Sequence, residues 1–224
     1  MSIEIIVSYD ATEMDQDALA LGQVLAAKGD SLALAYVRHA KEDADEREQL
    51  AAEEAAELLD SGAKIVGNPD VPRFIVFSAS TPEGLSELAK SEQANLIVFG
   101  SEYRTASDHV EPQSSARQLL DGGRIAIAIA PAGFRERNGG KKIKAIGAIT
   151  PDDDPCVEET AVSLAKRLGA SVEKSPRVAP DLLVIGSKIG THHGVVSMSA
   201  AGLYLMRTVS CPVLVLPRGV GVDF

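Results

Sequence analysis

Asp10 closes a short apolar run, Ile3–Tyr9, and Gly100-Ser101 closes another, Asn95–Phe99. Short runs of this kind, rich in β-branched residues and bounded by turn residues, read as buried strands. An acid ending one buried strand can accept a hydrogen bond from a base or sugar. Small residues ending another let backbone N–H groups approach a phosphate closely. Val37-Arg38 ends a third run, Ser31–Val37, and Val37 offers an apolar contact beside Asp10. Ser114-Ser115 opens a helix of about Ser114–Leu120, whose unpaired N–H groups form a phosphate cradle. Asp10, Val37, Gly100, Ser101, Ser114 and Ser115 are thus the candidate binding residues, arranged for a ligand with a phosphate and a base or sugar. The plainer alternative makes Asp10 a solvated loop acid and Ser114 a helix cap.

Other reactive residue types carry less. His192-His193 are adjacent, so their side chains diverge, and no carboxylate is spaced to complete a metal site. His109 and Asp108 read as loop residues in the same way. In Asp152-Asp153-Asp154 the last acid precedes Pro155 and reads as a helix cap, the others as solvated turn acids. Cys156 and Cys211 belong to no CxxC or Cys/His spacing and read as structural thiols. There is no G-x-S-x-G elbow for a serine hydrolase. An adenylating pyrophosphatase would need a glycine-serine-rich loop in place of Asp10-Ala11-Thr12. A phosphoacceptor domain would need an aspartate and a lysine where Ser78 and Pro131 stand. No metal and no catalytic activity are expected.

The elements that must hold the candidate residues alternate in type. Thr12 with Asp15 three positions on is a capping-box pattern, and Ala18, Leu21 and Leu25 recur at helical spacing until Gly29. Lys41–Asp60 holds nine acids over a thin apolar stripe and reads as a solvated helix face. Arg73–Ser78 is a strand, Thr81-Pro82 opens a helix, and Ile125–Ala130 is a fifth strand. Phe134–Gly140, charged and glycine-containing, marks a linker. The pattern then restarts with a strand at Lys142–Ile149, a helix from Asp154-Pro155 to Leu168-Gly169, and strands at Ser171–Lys174, Leu182–Ile185 and Val213–Leu216. Strands alternating with helices predict a parallel sheet covered on both faces.

A repeat runs through this pattern. Ala94–Gly133 lies on Pro180–Gly219 without a gap at an offset of 86 residues, matching Leu96/Leu182, Val98/Val184, Gly100/Gly186, Ser101/Ser187 and Pro131/Pro217, among others. From Asp10 to Gly100 is 90 residues, but from Thr150 to Gly186 only 36, so the second copy lacks its central helix–strand–helix material. The fold predicted is α/β, a doubly wound parallel sheet in tandem, with a complete domain at 1–135 and a shortened one at 141–224.

The net charge of −10 divides unevenly: residues 1–138 hold 24 acidic and 12 basic side chains, residues 139–224 hold 8 and 10. An acidic first half argues against nucleic acid, whose phosphates need a basic footprint. No run approaches the roughly 18 apolar residues of a membrane helix, and Met1-Ser2-Ile3-Glu4 enters a strand at once, so a cytoplasmic protein with no membrane partner is expected.

Ile5–Asp10 with Ala11-Thr12-Glu13, Leu96–Ser101, and Ser210-Cys211-Pro212-Val213-Leu214-Val215-Leu216 together resemble the universal stress protein family. They match its first strand and turn, its fourth strand and its fifth strand. The resemblance covers nearly the whole chain as a tandem pair. It implies the fold that the family shares with adenine-nucleotide hydrolases, and a binding or regulatory role in the stress response rather than an enzyme. The family's nucleotide-binding branch carries Gly, two residues, Gly, nine residues, Gly, then Ser or Thr. Here those places fall on Gly100, Tyr103, Gln113 and Ser114, and in the second copy on Gly186, Ile189, Ser199 and Ala200. The phosphate motif is therefore degenerate, and an ATP or AMP site in the first domain is the alternative. The resemblance also implies pairing through last strands. We expect an intramolecular pseudo-dimer joined by Ile125–Ala130 and Val213–Leu216, and a homodimer in which a second chain covers apolar sheet left bare in the shortened copy.

Overall fold

The chain alternates β1 (Ile5–Ser8), α1 (Glu13–Ala26), β2 (Leu32–His39), α2 (Asp45–Val66), β3 (Arg73–Ser78), α3 (Thr81–Glu92) and β4 (Leu96–Phe99). A six-residue α4 (Ser114–Leu119), β5 (Ala126–Ile129) and a single helical turn, α5 (Phe134–Arg137), follow. The remainder is β6 (Ala145–Ile149), α6 (Pro155–Leu168), β7 (Ser171–Glu173), β8 (Leu182–Gly186), α7 (Ala200–Thr208) and β9 (Val213–Leu216). This computed structural model describes residues 3–26, 31–39, 45–137, 142–150, 154–173 and 179–224. Part of the acidic stretch at 41–60 and the end of the predicted strand at Lys174 lie outside them.

The nine strands of the described residues form one sheet in the order β3-β2-β1-β4-β5-β9-β8-β6-β7. Neighbours are parallel except at the centre, where β5 and β9 run antiparallel with Ile127 opposite Val215, Ala128 opposite Leu214 and Ile129 opposite Val213. The two last strands thus meet edge to edge within the chain. Parallel strands are buried on both faces, which is why they are short apolar runs rather than alternating ones. β4, β5 and β9 (LIVF, AIAI, VLVL) are buried at every position. One face carries α1, α2 and α6 through Leu19, Leu25, Leu59 and Leu164. The other carries α3, α4 and α7 through Leu85, Leu88, Leu119 and Met206. Each of these two cores draws residues from before and after residue 140.

Helix ends follow local chemistry. Ser80 caps α3 with proline in its first turn, and Gly169 ends α6 in the left-handed region. One expectation needs correction. The segment beginning at Phe134 is not simply a linker, because Phe134–Arg137 forms a helical turn with Phe134 buried in the core. Ile5 pairs with Leu96 and Ile146 with Leu182, so Gly147 stands where Ile6 does and Glu173 where Ala33 does. A Cβ at Gly147 would lie 3.0 Å from Pro180 and 3.1 Å from Leu183, which close over the spot where a third helix is missing. Ala145 and Ile149, on the same face of β6 as Gly147, are half-buried.

Candidate functional site

Asp10 lies exposed in the turn between β1 and α1, where its Oδ1 accepts a 3.3 Å hydrogen bond from the Thr12 N–H. The turn is held from beneath by Asp15, whose Oδ2 accepts from the N–H groups of Asp10 (2.9 Å) and Thr12 (3.1 Å). That is the return half of the expected capping box, made by the acid rather than by Thr12. Asp15 is buried, and burial together with the neighbouring Asp10 carboxyl pushes its pKa up to about 8. Ala11 in the same turn has φ of 63°, an uncommon backbone for a residue with a side chain.

Val37 is buried in β2 beneath α3, where Gly84 lets the helix approach; a Cβ there would lie 3.0 Å from Val37 Cγ1. Gly100 ends β4 against the first turn of α1, and any side chain would collide with the Met14 carbonyl. Its glycine is required by that contact. Ser101 is 1% exposed and works as a clasp: Oγ donates to the Ala130 carbonyl at 2.7 Å and accepts from the Glu111 N–H at 3.4 Å. Ser187, 86 residues on, repeats both bonds, to the Leu216 carbonyl at 2.7 Å and from the Ser197 N–H at 3.1 Å. The Gly-Ser pair therefore fastens the loop after each penultimate strand. Ser114 is exposed and Ser115 half-buried at the start of α4, whose N-cap is Gln113 without a side-chain cap bond.

The structure thus gathers Gly100, Ser101 and the α4 start along one loop, with Asp10 in the adjoining turn, and buries Val37 away from solvent. Gln113, read from the sequence only as a departure from the nucleotide-binding pattern, makes a contact of its own. Its Nε2 donates to the Gly100 carbonyl at 3.3 Å, so a side-chain amide lies over the strand end where a phosphate loop would be bare. The signal was present, since Gln113 occupies a place where the nucleotide-binding pattern has glycine.

The loop backbone repeats too. Arg104 and Asp108 have φ of 74° and 71°, and Gly190 and Gly194, 86 residues on, have 81° and 75°. The left-handed positions are therefore Arg104 and Asp108, not Tyr103 and Gln113, which stand where the nucleotide-binding pattern has glycine. Tyr103 is 68% exposed, with the Arg104 guanidinium over its ring at 5.6 Å. Two of the loop's acids are paired with arginines. Asp108 pairs with Arg137, and Glu111 pairs with Arg117 at 3.1 Å and with Arg207 of α7 at 2.7 Å. The last pair ties the two halves across the β5–β9 seam. A cavity of 360 Å³ is lined by this loop, with Tyr103, Arg104 and Glu111, and by Arg207, and cavities of 840, 660 and 230 Å³ lie elsewhere; none of the four is lined by Asp10, Val37, Gly100, Ser101, Ser114 or Ser115. Among the described residues no cluster of three or more His, Cys, Asp or Glu could hold a metal, and no helix is long and apolar enough to cross a membrane.

A sheet that is parallel except at β5–β9, with helices packed on both faces, defines a doubly wound α/β protein. The family model of the universal stress proteins matches residues 1–125, and the chain belongs to the universal stress protein family. Its fold is similar over nearly its whole length to that of a universal stress protein from Archaeoglobus fulgidus. The TM-score is 0.70 at 14% identity, over 98% of this chain and 100% of that one. A protein from Pseudomonas aeruginosa PAO1 described as functionally unknown gives a TM-score of 0.58 at 13% identity, covering 97% of this chain and 94% of its own. No curated protein matches the sequence.

Proposed function

We propose that this universal stress protein is a non-enzymatic binding or regulatory module working in the cytoplasm, a tandem of a complete domain at 1–135 and a shortened one at 141–224. On this reading the first domain's nucleotide site is degenerate. The observation that carries it is the Gln113 amide on the Gly100 carbonyl, 3.3 Å away, in the space that a phosphate would need. Ser101 supports it, since its hydroxyl is already spent on Ala130 and Glu111. A homodimer would have to use surfaces other than β5 and β9, which pair with each other inside the chain.

One observation favours the second reading, an ATP or AMP site formed by Asp10, Gly100, Ser114 and Ser115. Asp108 and Glu111 are neutralised by arginines, which lowers the loop's repulsion of a polyanion. Calorimetric titration with ATP and AMP separates the two. The degenerate site predicts a dissociation constant above roughly 100 μM, an affinity worth less than about 5.5 kcal/mol. Micromolar binding that disappears in Asp10→Ala or Ser114→Ala would establish the second reading in its place.

A further inference from the structure

The 660 Å³ cavity lies at the amino ends of β6, β8 and β9, lined by α5, residues 142–144, 180–181 and 210–212. Three cationic side chains line it, Arg137, Lys142 and Lys144, against one carboxylate, Asp181. That carboxylate is occupied: its Oδ2 accepts from the N–H groups of Lys144 (2.8 Å) and Ala145 (3.0 Å). Arg137 is fixed at the wall by Asp108 and by a 3.4 Å hydrogen bond to the Ser210 carbonyl. Lys142 and Lys144 are exposed and have no ion pair among the described residues, while Ile143 between them is buried in the core. Two exposed ammonium groups beside an anchored guanidinium hold a positive field in a chain of net charge −10.

The charge is not inherited from the repeat. The 840 Å³ cavity contains the residues 86 positions earlier, Ala94, Asn95 and Ile125 for Pro180, Asp181 and Cys211, and is lined by Glu83, Glu87 and Asp121 as well as Lys90 and Arg124. The two sites share a frame and differ in sign. We propose that the 660 Å³ cavity binds a small phosphorylated metabolite. The phosphate oxygens accept hydrogen bonds from Lys142 and Lys144, and the organic part rests on the apolar wall of Phe134, Pro180 and Pro212. The volume lies within the range of small-ligand pockets, and the split between one cationic rim and one apolar wall suits an organic phosphate better than a bare ion.

Titration of the full chain with pyrophosphate at low salt, followed by calorimetry, tests the phosphate half of this site. Saturable binding is expected with a dissociation constant of about 0.1–1 mM, weakening as salt rises. The Lys142→Glu, Lys144→Glu double variant should lose tenfold or more. Lys142→Ala, Lys144→Ala, checked for an unchanged melting temperature, should give a smaller loss and guards against misfolding of the charge-reversed chain. Absence of saturable binding at several millimolar overturns the proposal. So does binding that survives loss of both lysines.

Discussion

At the scale of single residues, the acid that matters most to the β1–α1 turn is the buried one. Asp10 was legible as a strand-ending acid because it interrupts an apolar run, but its geometry depends on Asp15, which receives two backbone N–H groups. What the sequence could not reveal is that Asp15 would be buried beside Asp10, because that follows from α1 packing onto the end of β4 at Gly100. Its pKa is raised to about 8, so the folded chain holds this proton more tightly than the unfolded chain does. The stability it contributes is complete below about pH 4 and is lost as pH rises through about 8. Asp17, which accepts from the N–H groups of Gly133 and Arg135, is raised by burial as well and adds to the same slope. Asp15→Asn keeps an acceptor for the turn and cannot ionise. We expect it to flatten the fall in stability between pH 5 and 8, and to exceed the wild type at pH 8 by on the order of 1 kcal/mol. Urea unfolding at both pH values measures this, and parallel curves for the two proteins would refute it.

At the scale of elements, the strands were the most legible feature, because parallel strands buried on both faces must be short apolar runs. Arg73–Ser78 and Val213–Leu216 agree with the expected limits residue for residue, and the other strands differ only at their ends. Loops were less legible, since their conformation is set by what they pack against. The β4–α4 loop bends left-handed at Arg104 and Asp108, where nothing in the residue types signals it, while its counterpart uses Gly190 and Gly194 at the same bends. Only the 86-residue offset exposes the correspondence, and it predicts strain in the first loop. A left-handed backbone costs a residue with a Cβ about 1 kcal/mol. Arg104→Gly removes that cost and gives up an exposed stack on Tyr103 worth about 0.5 kcal/mol. The variant should therefore be more stable by about 0.5 kcal/mol. A denaturation midpoint below the wild-type value would mean that Arg104 is held by contacts stronger than the strain.

At the scale of the whole molecule, the repeat was visible in sequence, and the pairing of the two last strands was expected from the family resemblance and seen at β5–β9, although no local pattern signals it. The seam consists of three antiparallel pairs between β5 and β9, and both cores cross it. Further ties lie on either side. Arg207 pairs with Glu111 at 2.7 Å, Arg167 with Glu4 at 3.2 Å, and the Gly122 and Val196 N–H groups donate across the seam at 2.8 Å. The part after residue 140 brings four strands among the described residues, one of them the three-residue β7 at the open edge, and its β9 is paired with β5. A half this small gains little from its own core alone. Unfolding it alone would strip β5 and expose Ile127 and Ile129, which are buried in the folded chain. The two halves should consequently unfold together. Scanning calorimetry is expected to show one transition with an enthalpy of roughly 150 kcal/mol near 60 °C, equal to the van't Hoff value. Two resolved transitions, or a van't Hoff enthalpy near half the calorimetric one, would mean that the seam joins two independently stable domains.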